Sequence, residues 1–281
     1  MIIDSHHHLW DPATRDYPWM AAAALDPIRH AYTLEDLRAV AAGVSGTVLV
    51  QTVASTEETE EFLATAAAAD GLVLGVVGWV DLLAPDVADH VARLRSLPGG
   101  DLLVGVRHQA EDEPDPRWLV RPDVLRGIAA LAEAGLVYDV LVREPQLPAA
   151  VELVGLLPSV RFVLDHAGKP PVASGALDGW AGLVTRLAEH PNVFCKLSGL
   201  VTEADWHSWR VDQLRPVAEH VLAAFGPERV MFGSDWPVCE LAASYQQVTE
   251  SAGALLASLS EAQRAEVFAG TAVRCYGLRL R

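Results

Sequence analysis

The chain has 281 residues, 51% of them apolar, enough for one large core and for a barrel of eight strand–helix units, which takes about 250 residues. A net charge of −16 speaks against nucleic acid, whose phosphates would repel it, and reads as a solvated acidic surface with scattered acids such as Glu57-Glu58 and Glu60-Glu61. No charge-free apolar run is long enough for a membrane span, no basic leader precedes Asp4, and Cys195, Cys239 and Cys275 are an odd, widely spaced set without a CxxC; a reduced, cytoplasmic protein is expected.

Short β-branched runs alternate with amphipathic stretches roughly every 30 residues, the rhythm of βα units on a parallel sheet. In chain order the predicted strands are Ile2–His8, Gly46–Gln51, Leu72–Trp79, Leu102–His108, Leu136–Val142, Val160–His166, Val193–Ser198 and Val230–Asp235. Most are continuous apolar runs, as expected of strands covered on both faces. Helical spacing places Leu125, Ile128, Leu131 and Ala132 on one face, and likewise Trp180, Leu183, Val184 and Leu187, then Leu214, Val217, Val221 and Phe225. A last helical segment is expected over Glu261–Tyr276. Eight units predict an α/β fold, a TIM-type (β/α)₈ barrel, as one domain over residues 1–281. A doubly wound open sheet is the alternative, but its Gly-rich turn after the first strand is missing.

The polar residues sit where these apolar strands end. Strand one closes Asp4-Ser5-His6-His7-His8, strand two at Gln51 and strand four at Arg107-His108. Strand five carries Asp139, strand six ends Asp165-His166, strand seven carries Lys196, and strand eight ends Ser234-Asp235-Trp236-Pro237. In a barrel these ends converge on one mouth. His6 and His8, two apart on a strand, point to the same side and can chelate one ion; His166 and Asp235 complete a candidate metal set of His6, His8, His166 and Asp235, which suits zinc. The same four residues can also work without an ion, with imidazoles polarising a carbonyl.

Asp235 is the best candidate for a general base that takes a proton from water; a helix N-cap or a salt bridge is its structural alternative. His166 and His108 join it as catalytic candidates. Arg107 and His108 could polarise a carbonyl or grip a carboxylate, or form an ion pair among the loops. Arg107, Gln51 and Lys196 are the substrate-binding candidates from the strands, although Lys196 serves equally well as an internal ion-pair partner. The loop after strand seven adds Trp206 and Trp209 beside Glu203 and His207; flat indole faces suit a sugar ring, and capping of the barrel or a homo-oligomer interface is the other reading. Trp10, Tyr17 and Trp19 pose the same choice. No Gly-x-Ser-x-Gly elbow and no Walker loop is present, and Cys195 reads as a small core residue.

Several segments together carry a resemblance. They are Ile3-Asp4-Ser5-His6-His7-His8-Leu9-Trp10 with Asp16-Tyr17-Pro18-Trp19, Gly105-Val106-Arg107-His108, Leu164-Asp165-His166-Ala167-Gly168-Lys169-Pro170, Cys195-Lys196-Leu197-Ser198-Gly199-Leu200 and Met231-Phe232-Gly233-Ser234-Asp235-Trp236-Pro237. Over essentially its whole length the chain resembles the amidohydrolase-related (Amidohydro_2) group that contains L-fuconolactonase, L-rhamnonolactonase and 2-pyrone-4,6-dicarboxylate lactonase. The resemblance implies a (β/α)₈ barrel that hydrolyses a cyclic ester, a small-molecule sugar lactone as substrate, and Asp235 as general base. It implies at most one divalent metal, because no Lys stands at the end of strand four to bridge two; some relatives work without any. Amide hydrolysis, metal-dependent decarboxylation and a non-catalytic sugar-acid binder are the alternatives.

Overall fold

The computed structural model describes residues 1–280. Eight parallel strands lie in sequential order: β1 Ile3–His7, β2 Gly46–Val50, β3 Val73–Gly78, β4 Leu103–Gln109, β5 Val137–Leu141, β6 Phe162–Leu164, β7 Val193–Leu197 and β8 Val230–Phe232. The ring closes just beyond β8. His7 forms a parallel bridge with Trp236, and His8 N–H donates to the Trp236 carbonyl at 2.7 Å. Helices α1 Leu34–Val40, α2 Thr56–Ala67, α3 Val87–Arg95, α4 Pro122–Glu133, α5 Leu147–Leu156, α6 Asp178–Ala188 and α7 Val211–Phe225 each follow the strand of the same number, and α8 Tyr245–Leu255 follows β8. Among the described residues no helix is long and apolar enough to cross a membrane.

Most predicted strands agree with the structure to within a residue. The exceptions are β6 and β8, which stop short of His166 and Asp235. There the backbone swings to the left-handed region, with φ of 53° at His166 and 58° at Asp235. An extended strand cannot continue through such residues. The predicted face of α4 is rotated slightly: Val124, Ile128 and Leu131 are buried, whereas Leu125 and Ala132 are half-buried. Glu58 also departs from expectation. It is no solvated surface acid but is fully buried at the first turn of α2, where its carboxylate accepts from the N–H groups of Thr52 and Val53 and from the Thr52 hydroxyl. It thereby pins the β2–α2 loop.

The segment Glu261–Tyr276 is one helical run, α9 Glu261–Ala265, a π turn Glu266–Gly270 and α10 Thr271–Tyr276. Its end packs Cys275, Tyr276 and Leu278 against Ile3, Val48, Val163 and Met231, and this cluster plugs the end of the barrel opposite the mouth.

Candidate active site

Strand pleating decides which side chains enter the mouth. On β4, Arg107 turns inward and His108 outward. On β5, just after β6 and on β7 the inward residues beyond the apolar layer are Asp139, Asp165 and Lys196, all fully buried. On β1 an irregularity between Asp4 and His7 re-aims the chain. Asp4 is directed to the helix side, where Tyr245 of α8 donates to it at 3.0 Å, while His6 and His8 share the inner side with their Nε2 atoms 3.1 Å apart.

Asp235 faces these imidazoles. Its Oδ1 lies 3.5 Å from His8 Nε2 and 3.8 Å from both His6 Nε2 and His166 Nε2. The other ring nitrogens are tied down: His8 Nδ1 donates to the Val50 carbonyl at 2.7 Å, and His166 Nδ1 meets the Ser198 hydroxyl at 2.9 Å. Two glycines make the approach feasible. A Cβ on Gly199, whose φ is +64°, would stand 2.6 Å from His166 Nδ1, and one on Gly233 would stand 2.7 Å from the His6 Cβ.

The electrostatics follow from burial. Burial lowers the imidazoles, His166 to about 4 and His8 to about 3, with His6 well below its ordinary range. Burial thus favours the neutral form of all three. Burial raises the Asp235 carboxyl above its ordinary range, against the pull of His166, Lys169 and Arg107. The fixed positive charge at the wall is Arg107. Its Nη1 donates to Asp165 Oδ2 at 3.0 Å and lies 3.2 Å from His6 Nε2, its Nε donates to the Gln51 amide oxygen at 3.0 Å, and its Nη2 donates to the Gln51 carbonyl.

A cavity of about 360 Å³ opens over this floor, lined by His8, Arg107, His166 and Asp235, with Trp19 and Trp206 among its walls. The other candidates fall elsewhere. Lys196 is buried beneath the cavity, bound to Asp139 at 2.5 Å and Asp165 at 2.9 Å, so it is an internal ion-pair partner and not a substrate contact. Gln51 lies behind Arg107 and orients it. Trp209 donates its indole N–H to the Ala242 carbonyl at 2.8 Å and does not line the cavity. His108 is on the outer side of β4, stacked on Trp118 with centroids 4.1 Å apart, and does not line the cavity. Trp10 is buried among Tyr17, Trp19 and Tyr32.

Sequence reasoning missed the rim. Lys169 reaches Glu111 at 2.6 Å, Arg143 reaches the same carboxylate at 3.1 Å, and Glu203 stands beside them on the wall. Lys169 belongs to the segment Leu164–Pro170 and follows Gly168, a residue that marks a turn, and its own φ is 50°. Glu111 and Arg143 come from loops after β4 and β5 that carry no pattern.

His6, His8 and Asp235 offer ligand atoms within 4.8 Å of one another, a donor set of the type that holds a divalent ion.

A family model described as Amidohydrolase matches residues 3–278. The chain is 43% identical to an L-fucono-1,5-lactonase of Burkholderia multivorans, over 98% of this chain and 96% of that protein. It is 38% identical to an L-fucono-1,5-lactonase of Burkholderia ambifaria, over 98% and 94% respectively. A crystal structure of an amidohydrolase from Burkholderia multivorans with bound zinc matches with a TM-score of 0.91 at 41% identity, covering 99% of this chain and 100% of that one.

Proposed function

This chain belongs to the amidohydrolase family, and on that premise we propose that it hydrolyses a small sugar lactone, with L-fucono-1,5-lactone the first compound to try. The observation that carries the reading is Asp235, a buried carboxylate facing three neutral imidazoles at the wall of a cavity that also presents Trp19 and Trp206.

In the proposed reaction Asp235 takes a proton from water as the water oxygen attacks the lactone carbonyl carbon. The carbonyl oxygen gains charge and is stabilised by the Arg107 guanidinium and by imidazole N–H groups. Gln51 and Asp165 hold Arg107 in place beforehand, so little reorganisation is needed. The ring C–O bond then breaks, Asp235 returns its proton to the departing ring oxygen, and the hydroxy acid leaves and ionises. Because the imidazoles are neutral, they act as hydrogen-bond donors or ligands and Arg107 supplies the fixed positive charge.

The donor set fits a divalent ion, zinc by its preference for nitrogen and oxygen donors. His8 donates from Nδ1, so its Nε2 lone pair faces the site, 3.1 Å from His6 Nε2 and 3.5 Å from Asp235, with His166 alongside. When bound, the ion would supply Lewis-acid polarisation of the carbonyl or of water. Exhaustive chelation with metal analysis distinguishes the two versions: loss of turnover restored by one equivalent of zinc means the ion is required, and a fully active, metal-free preparation means that Arg107 and the imidazoles suffice.

The rim favours a neutral polyol over a dicarboxylate. Lys169 and Arg143 already share the Glu111 carboxylate, which leaves little unpaired positive charge for a second anion, whereas paired charges offer donors and acceptors to hydroxyls. A pH-indicator screen of aldonolactones tests the reading, because each ring opening releases a proton. Turnover of a six-carbon or 6-deoxy aldonolactone is expected; a broad lactone panel left untouched while an amide or a carboxylated aromatic turns over would overturn it.

A further inference from the structure

Beneath the imidazoles lies a second cluster of ligand-type side chains. The ammonium of Lys196 sits among Asp139 Oδ2 at 2.5 Å, Asp165 Oδ1 at 2.9 Å and His6 Nδ1 at 3.1 Å. All four side chains are fully buried. The other oxygen of Asp139, Oδ1, is buried without a hydrogen-bond partner, so this carboxylate has coordinating capacity that the amine does not use. Tyr276 of α10 donates to Asp139 Oδ2 at 2.7 Å from below. His6, Asp165 and His166 also offer ligand atoms within 4.8 Å of one another.

Arg107 already pairs with Asp165 at 3.0 Å, whereas Asp139 has only the Lys196 ammonium as its cation, and an amine or a divalent ion can provide that charge. The donors are those that zinc and cobalt take, two carboxylates and an imidazole. The distances are those of N–H donors. A metal at about 2.0–2.2 Å from each ligand would need His6 Nδ1 to close by about 1 Å and the two carboxylates by less. While the ammonium stands there, its volume and charge keep a divalent ion out.

We propose that the Lys196 ammonium is a built-in substitute for a metal ion, filling a cage of Asp139, Asp165 and His6 Nδ1 that takes a divalent cation once the amine is removed. The cage is distinct from the Asp235 site: it uses His6 Nδ1, where the ammonium donates, whereas His6 Nε2 faces Asp235, and a neutral His6 has one lone pair to give to one side or the other. It limits the ions this barrel can hold, whatever reaction the mouth performs.

The test is a cobalt(II) titration of the purified wild-type chain and of Lys196→Ala, read by visible absorption and by metal-to-protein ratio. Lys196→Ala is expected to bind one equivalent more than the wild type, and its melting temperature is expected to rise on adding the ion more than that of the wild type does. Adding Asp139→Asn to Lys196→Ala should abolish the extra equivalent. Lys196→Met, which removes the charge but fills the space, should gain none. A folded Lys196→Ala chain with the wild-type metal ratio overturns the proposal. Should Lys196→Ala not fold alone, recovery of circular dichroism on refolding with zinc supports it, and failure both with and without zinc overturns it.

Discussion

The two halves of the barrel interior are built by the same strands on opposite terms. In the half away from the mouth, Val137, Val163 and Phe194 pack with Met231 and Val48 against the plug formed by Cys275 and Tyr276. Two residues further along the same strands, in the next inward position, stand Asp139, Asp165 and Lys196, with Arg107 beside them on β4. The lower layer is held by dispersion and the hydrophobic effect, which are indifferent to orientation. The upper layer is held by directed ion pairs, in which each buried charge has its partner. The comparison separates packing from directed pairing: the apolar layer supports the fold, the paired charges hold one another beneath the mouth, and Arg107, His8, His166 and Asp235 are the groups of this layer and the one above it that reach the cavity.

The largest effect is expected from breaking the paired layer. Asp165→Ala leaves both Arg107 and Lys196 short of a partner in a fully buried setting, and such one-sided losses cost about 3–5 kcal/mol. Urea denaturation should show that loss, together with lower turnover because Arg107 is no longer held; a stability change near zero would mean that these charges are solvated. Next comes Asp235→Asn, which keeps shape and removes proton acceptance. It should lower kcat by about 10²-fold or more with unchanged circular dichroism, and near-normal turnover would remove Asp235 from the role of base. In the apolar layer, Val163→Ala deletes two buried methyl equivalents and leaves a small void, worth about 2 kcal/mol of stability. There kcat should stay near the wild-type value, and a large fall in kcat without loss of stability would blur the division between the layers.

Why the fold was legible and the site only partly so follows from the same pleat. Apolar runs such as Val48–Val50 and Phe162–Leu164 announce strands because both faces are covered, and period-two alternation then assigns Arg107, Asp139, Asp165 and Lys196 to the interior. Composition does not say how deep a polar residue lies. Gln51 reads as a substrate contact, and Lys196 as either that or an ion-pair partner, because nothing within one strand reveals which charge on another strand will meet it. His108 stood beside Arg107 in one motif, yet neighbours on a strand face opposite ways, a rule that was available and outweighed by the motif. Glu58 looked like one acid among four on a helix, and only the folded β2–α2 loop shows that its carboxylate accepts backbone N–H groups. The left-handed turns at His166 and Asp235 fall on residue types that tolerate positive φ better than most, but one such residue at the end of an apolar run does not announce a turn.

The smallest expected effect is at His108, and it tests the inside–outside division most directly. The ring stacks on Trp118 at an interplanar angle of 12°, its Nδ1 accepts from the Trp79 indole at 3.1 Å, and its Nε2 donates to Glu113 at 2.7 Å. Burial pulls its basicity down and Glu113 pulls it up, with burial the larger influence. Every polar atom of the ring is thus engaged on the helix side of β4, and none lines the cavity. His108→Gln should cost about 1 kcal/mol of stability from the lost hydrogen bonds, while kcat/KM on the best lactone changes by less than about threefold, below the tenfold that 1.4 kcal/mol of transition-state stabilisation would produce. A loss of about 10²-fold in kcat/KM, the scale of a general acid or base, without a matching loss of stability would place His108 in the reaction. The outer face of β4 would then have to reach the substrate, which its pleat forbids unless the strand end rearranges when the lactone binds.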